Sequence, residues 1–159
     1  MTEQSYERTK YEAVLDVSYG ICWNSLNERL FGRIDWVFGA ITLFGGSTII
    51  FTVTADHKLA AAWVSGVVAI SAILERSIGA TEKRLEHKAM KRRLCELQAK
   101  CSSLSLEEID RDLSLLRADE PTGLRGLDMV AYNQNVRAHG RGSYIERLSL
   151  WEWLLSILA

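Results

Sequence analysis

Two basic clusters carry the residue types in this chain best suited to binding chemistry. Lys91, Arg92 and Arg93 are consecutive, and Arg137, His139, Arg141 and Arg147 surround the glycine-broken stretch Gly140-Arg141-Gly142. Phosphate is held by clustered cations of this kind or by backbone donors. Plainer roles fit the same residues: anchoring at a membrane surface plus solvation for the first cluster, and an ordinary surface loop for the second. Enzyme chemistry has less to work with. His57, His87 and His139 are far apart, and no serine sits in a nucleophile-elbow context. Cys22, Cys95 and Cys101 are odd in number and match no metal-ligand spacing. Neither Gly45-Gly46 nor Gly140-Arg141-Gly142 makes a P-loop or a dinucleotide fingerprint. A non-enzyme with free thiols, no metal and no cofactor is the expectation.

The elements that would position these clusters are dominated by two uncharged runs. Trp36 to Ala55 carries no charge over about twenty residues, and after Asp56-His57-Lys58 a second uncharged run goes from Leu59 to Leu74. As helices they cover roughly 30 Å and roughly 24 Å, the first matching the hydrocarbon core of a bilayer and the second about a turn short. The mean hydropathy of the whole chain is close to zero, which would suit a soluble bundle. That average hides a segregation of apolar residues into the two runs, and Trp36–Ala55 lacks the polar face of a core helix. The predicted arrangement is all-α: a two-helix transmembrane hairpin over 34–76 (spans 36–55 and 59–74), preceded by a cytosolic juxtamembrane amphipathic segment over 1–33 and followed by a cytosolic helical region over 77–159. The apolar run starts too late for a cleaved leader, so the hairpin is expected to be retained.

Orientation follows from the basic residues near the spans. The tip holds only Lys58, whereas Arg29 and Arg33 precede the first span and Arg76, Lys83, Arg84, Lys88, Lys91, Arg92 and Arg93 follow the second. Both termini are therefore expected in the cytoplasm. Helices in lipid associate through small and polar residues. On the first span Asp35, Gly39, Thr42 and Gly46 share a face that continues through Ile49 and Val53; on the second, Ala61, Ala62, Ser65, Ala69 and Ala72 form a stripe. Two helices cannot enclose a conduit, so a pore requires homo-oligomerisation. In a pore Thr42 and the glycines would line the lumen or a neighbouring helix, Ile49 and Val53 a constriction, and Asp35 a charged ring at the cytoplasmic mouth. The competing arrangement packs Gly39 and Gly46 on the Ala/Ser stripe of the same chain, with Asp35 solvated.

Outside the spans the pattern is helical. Gly20 is expected to break the N-terminal segment, and Trp23 and Trp36 suit the headgroup boundary. Residues 75–101 hold eight Lys/Arg against four Asp/Glu, and 102–128 hold three against seven. The opposite charges favour an acidic helix packed on the basic one, in its own chain or a neighbour; anionic lipid is the alternative partner of the basic run. Ser105 with Glu108 makes a capping box ahead of a helix, Pro121, Gly123 and Gly126 mark a turn, and a further helix is predicted from about Leu127 to Ala138. Ser143 with Glu146 is expected to cap a last helix whose apolar run, Leu148 to Leu158, is too short to span a bilayer and would either dock on the bundle or lie at the membrane interface.

Taken together, Trp23 with the Glu28-Arg29-Leu30 run, two membrane helices on a short tip, a charged helical extension and a late Ala131-Tyr132-Asn133-Gln134 motif resemble the SLATT family of bacterial defence effectors. The resemblance implies a pore-forming effector of the bacterial inner membrane, acting in anti-phage defence beside a partner such as a nucleotidyltransferase that makes a nucleotide-derived signal. A cyclic nucleotide or short oligonucleotide would then bind between subunits or on the basic clusters, with Tyr132, Asn133, Asn135 and Tyr144 adding stacking and hydrogen bonds. A holin-like permeabiliser and a non-conducting membrane scaffold are the alternatives.

Overall fold

The computed structural model describes residues 8–45, 47 and 58–159, with the side chains of residues 58–61 outside the description. Every regular element among them is helical. Helix α1 (Lys10–Gly45) runs unbroken for 36 residues, about 54 Å at the usual helical rise. Thr9 starts it with a capping box: its hydroxyl accepts from the Glu12 N–H, and the Glu12 carboxylate accepts from the Thr9 N–H. Gly20 does not interrupt it. The absent side chain there admits Leu94, because an added Cβ would lie 3.1 Å from a Leu94 methyl.

Helices α2 (Lys58–Ile78) and α3 (Ala80–Lys100) follow one another across Gly79, which adopts left-handed φ 61. Only glycine takes that conformation without steric cost, and here it redirects the helix without ending it. Helix α3 then packs antiparallel on α1. A first apolar core joins Ala13 and Val17 of α1 to Met90, Leu94, Leu97 and Cys101, and to Ile109 and Leu113 of α4 (Leu106–Ala118). A second joins Leu26 and Leu30 of α1 to Leu127, Val130 and Ala131 around α5 (Asp128–Ala138), and to Leu155 of α6 (Leu150–Leu158).

The charge complementarity of residues 75–101 and 102–128 plays a smaller part than expected. Arg93 reaches Asp119 at 3.1 Å, but Lys91 pairs with Glu28 of α1 and Arg92 with Glu96 one turn along its own helix. Apolar burial is what holds α4 on α3. The Ser105–Glu108 capping box forms as read from the sequence, whereas Ser143 and Glu146 cap nothing. Both Glu146 backbone groups are held by the Asn133 amide, at 2.8 and 2.9 Å. Two bonds to one amide fix this stretch outside a helix, and the capping box moves to Ser149 and Glu152. The Trp23 Nε1 donates to Asp128 at 2.7 Å and its ring packs against Gly123.

The apolar ends of α1 and α2 face each other. The inward side of α2 is Val64, Val68, Ser71, Glu75 and Ile78, the more enclosed residues at alternating spacings of four and three. Gly45 of α1 lies against Val68 so closely that a Cβ there would collide with it. The stretch Ala62–Lys100 is long and apolar enough to cross a membrane. Of its apolar window only 11% is buried inside the protein, where a soluble core helix would be mostly covered.

Candidate functional site

At the base of the apolar section Asp35 is bound. The Thr81 hydroxyl donates to one carboxylate oxygen at 2.5 Å, and Arg84 reaches the other at 3.2 Å. Gly32, one turn earlier, lets the Arg84 stem cross α1. Asp35 thus fastens α1 to α3 just beyond the Gly79 bend, instead of standing solvated. Gly39 and Thr42, on the same face, are exposed, and a Cβ on Gly39 would meet nothing within 4 Å. Ser65 and Ala69 are exposed too. The contact between α1 and α2 runs through Gly45 and Val68, so among the described residues Gly39, Thr42, Ser65 and Ala69 stay exposed within one chain. Gly46, Ile49 and Val53 lie outside the described residues.

The two basic clusters fare differently. Lys91, Arg92 and Arg93 diverge to three separate carboxylates and form no common site. Around α5, by contrast, Tyr132, His139 and Arg141 line one cavity of about 280 Å³ with Tyr19, Asn135 and Tyr144. The cavity exists because α5 ends in a Schellman turn: Gly140, at φ 70, lets Arg141 N–H bond Val136 O and Gly140 N–H bond Arg137 O, turning the chain back toward α1. The Arg141 guanidinium then sits 4.9 Å from the Tyr11 ring centroid. His139 Nδ1 lies 2.8 Å from the Asn135 carbonyl, which only accepts, so Nδ1 carries the proton. Asn133 is buried and occupied by Glu146, and Arg137 and Arg147 do not line the cavity.

Asn135 is the unusual member. Its side chain is buried, its amide nitrogen donates to Leu15 O at 3.0 Å, and its oxygen has no hydrogen-bond partner among the described residues. The Tyr19 hydroxyl is held in its neutral, donating form, its pKa raised by burial first and by Asp128 and Glu120 next. Three phenol rings, an amide oxygen without a donor among the described residues and two basic side chains meet here beside the Glu12 carboxylate, which accepts from the Thr9 N–H and hydroxyl. Asp16 also borders the cavity, but Arg8 at 2.7 Å and Arg117 at 3.6 Å offset its charge.

A second polar group was not foreseeable from motif spacing. Asn24, Asn27 and His87 are fully buried between α1, α3 and the Pro121–Leu124 turn. His87 Nδ1 lies 2.8 Å from the Asn24 oxygen, its ring stacks on Phe31 and meets Trp23 edge-on, and Asn27 accepts from Leu124 N–H at 2.8 Å. Burial lowers the His87 pKa to about 4, with Lys83 acting in the same direction and the Thr122 backbone and Glu28 opposing. The nearest sequence signal was Asn24 and Asn27 in a helix that is apolar on the same side. Comparison with family models, with curated proteins and with solved structures finds no match to this chain.

Proposed function

We propose that the chain is a two-span protein of the bacterial inner membrane, both ends cytoplasmic, that assembles with copies of itself into a pore gated through its helical bundle. One observation carries the reading: the exposed apolar surface of α1 and α2, where Trp36, Leu43, Phe44, Trp63, Ile70 and Ile73 are each 60% exposed or more. Patches of this size are not left in water. Below that surface the same two helices continue without a linker into the packed bundle, so a displacement in the bundle has a rigid path to the membrane. The exposed Gly39, Thr42, Ser65 and Ala69 supply the close-approach surfaces that assembly in lipid needs.

The effector role in anti-phage defence comes from the SLATT resemblance, as does a nucleotide-derived ligand made by a partner nucleotidyltransferase. The tyrosine-lined cavity supports such a ligand: rings for a base, the Asn135 oxygen for an exocyclic amine, Arg141 for phosphate. Ion flux from liposomes reconstituted with the purified protein tests this. Cyclic nucleotides or short oligonucleotides are expected to change the flux, and Arg141→Gln to weaken that response by about tenfold with assembly intact, since one phosphate hydrogen bond to a charged group contributes about 1.5 kcal/mol. Flux that ignores nucleotides in both proteins points to a holin-like permeabiliser. Absence of flux points to a non-conducting scaffold.

A further inference from the structure

Helix α6 is amphipathic in an inverted sense. Leu155 and Ala159 are buried against the second core, and Glu152 and Ser156 flank them. The opposite side, turned outward, carries Leu150, Trp153, Leu154, Ile157 and Leu158, from 42% to 88% exposed, without a single charge among them. No described residue covers it. Its place along the molecule identifies what does. Arg33 donates to the Ile157 carbonyl at 2.6 Å, and Ile34 packs against the core that seats Leu155. Two residues farther along α1, Trp36 begins the exposed apolar surface. The outward face of α6 is therefore continuous with that surface at the point where α1 leaves the bundle.

Charge selects between a second copy and a lipid surface. Arg29 and Arg33, both exposed, stand on α1 at this level, and the only acid of α6, Glu152, is engaged by Ser149 in the capping box. A two-fold contact between copies would bring like cations together, whereas an anionic headgroup layer neutralises them. We propose that α6 lies on the cytoplasmic face of the bilayer, its Leu150–Ile157 side in the headgroup and upper acyl region and Arg29 and Arg33 on anionic phospholipid phosphates. This inference rests on the transmembrane reading of α1 and α2. It makes α6 a surface anchor that ties the bundle to the membrane at a point separate from the spans.

The test uses full-length protein without its native cysteines, in nanodiscs containing phosphatidylglycerol and lipids with a nitroxide near the headgroup end of the acyl chain. A fluorophore on Leu154→Cys is expected to be blue-shifted and quenched, with the quenching reduced when phosphatidylglycerol is replaced by phosphatidylcholine. A fluorophore on Gly142→Cys should be unaffected, and one on Val67→Cys reports the spans. Quenching at Val67 without quenching at Leu154 overturns the anchor and leaves the spans standing. Loss of quenching at both positions overturns the spans and the anchor with them. Self-quenching of the Leu154 label in detergent, persisting in nanodiscs without nitroxide quenching, would assign the face to a second copy and also overturn it.

Discussion

His87 shows what a single buried residue does to the energetics of this molecule. It is fully enclosed and held neutral, with a pKa lowered to about 4 from an ordinary 6.5. The unfolded chain takes up the proton below about pH 6.5, the folded chain only near pH 4. Its contribution is therefore fully present above pH 6.5 and is lost as the pH falls toward 4, to an extent on the order of 2–3 kcal/mol. Thermal unfolding in detergent should show a midpoint that declines across this window, and His87→Gln should be less stable at pH 7.5 but flatter in pH. A pH profile unchanged by the substitution would contradict the assignment. This residue was not legible as important in the sequence. A histidine's burial depends on Asn24, Phe31 and Trp23 reaching it from another helix, and no local pattern records that. Of the cations grouped around the glycine-broken stretch, His139 and Arg141 meet at one cavity and Arg137 and Arg147 do not, while Lys91, Arg92 and Arg93 separate because consecutive helical residues point about 100° apart.

At the scale of elements, what could be read was what is decided within a few residues. The Ser105–Glu108 cap, the turn at Pro121 and the end of α5 near His139 depend on local hydrogen bonding and backbone preference. Ser143–Glu146 had the same local pattern and failed, because Asn133 takes both Glu146 backbone groups from the preceding helix α5. Gly20 misled in the other direction: its role is to admit Leu94, and a helix packed along its length tolerates a glycine. The Pro121–Leu124 turn gives the sharpest prediction at this level. A Cβ on Gly123 would stand 2.6 Å from the Trp23 ring and 2.8 Å from the Asn27 oxygen. Gly123→Ala should destabilise the bundle by about 1–3 kcal/mol through overpacking, read as a lower denaturation midpoint, with Gly142→Ala, which meets open space, as the neutral control. Equal midpoints for the two variants would mean that the turn does not press on Trp23.

The whole molecule divides into a packed bundle with buried polar groups and an apolar extension with exposed large side chains. That division was visible in the sequence as a segregation of charge, whereas the exposure of Gly39, Thr42, Ser65 and Ala69 was not, since only packing shows which side of α2 meets α1. Because Ser65 and Ala69 are exposed in the single chain, Ala69→Leu should leave the fold of one subunit unchanged and weaken assembly, at about 1–3 kcal/mol per contact. Native mass measurement in detergent should move toward smaller species; a native protein that is already monomeric would remove the basis for a pore. The apolar extension is expected to cross a bilayer with the bundle on the cytoplasmic side, and accessibility labelling in intact cells tests this. In a chain with Cys22, Cys95 and Cys101 replaced, a cysteine at His57, between the two apolar runs and outside the described residues, should react with a membrane-impermeant maleimide added outside. A cysteine at Gly142 should react only after the cells are opened. Labelling of both positions only after lysis, or of Gly142 from outside, would contradict the account.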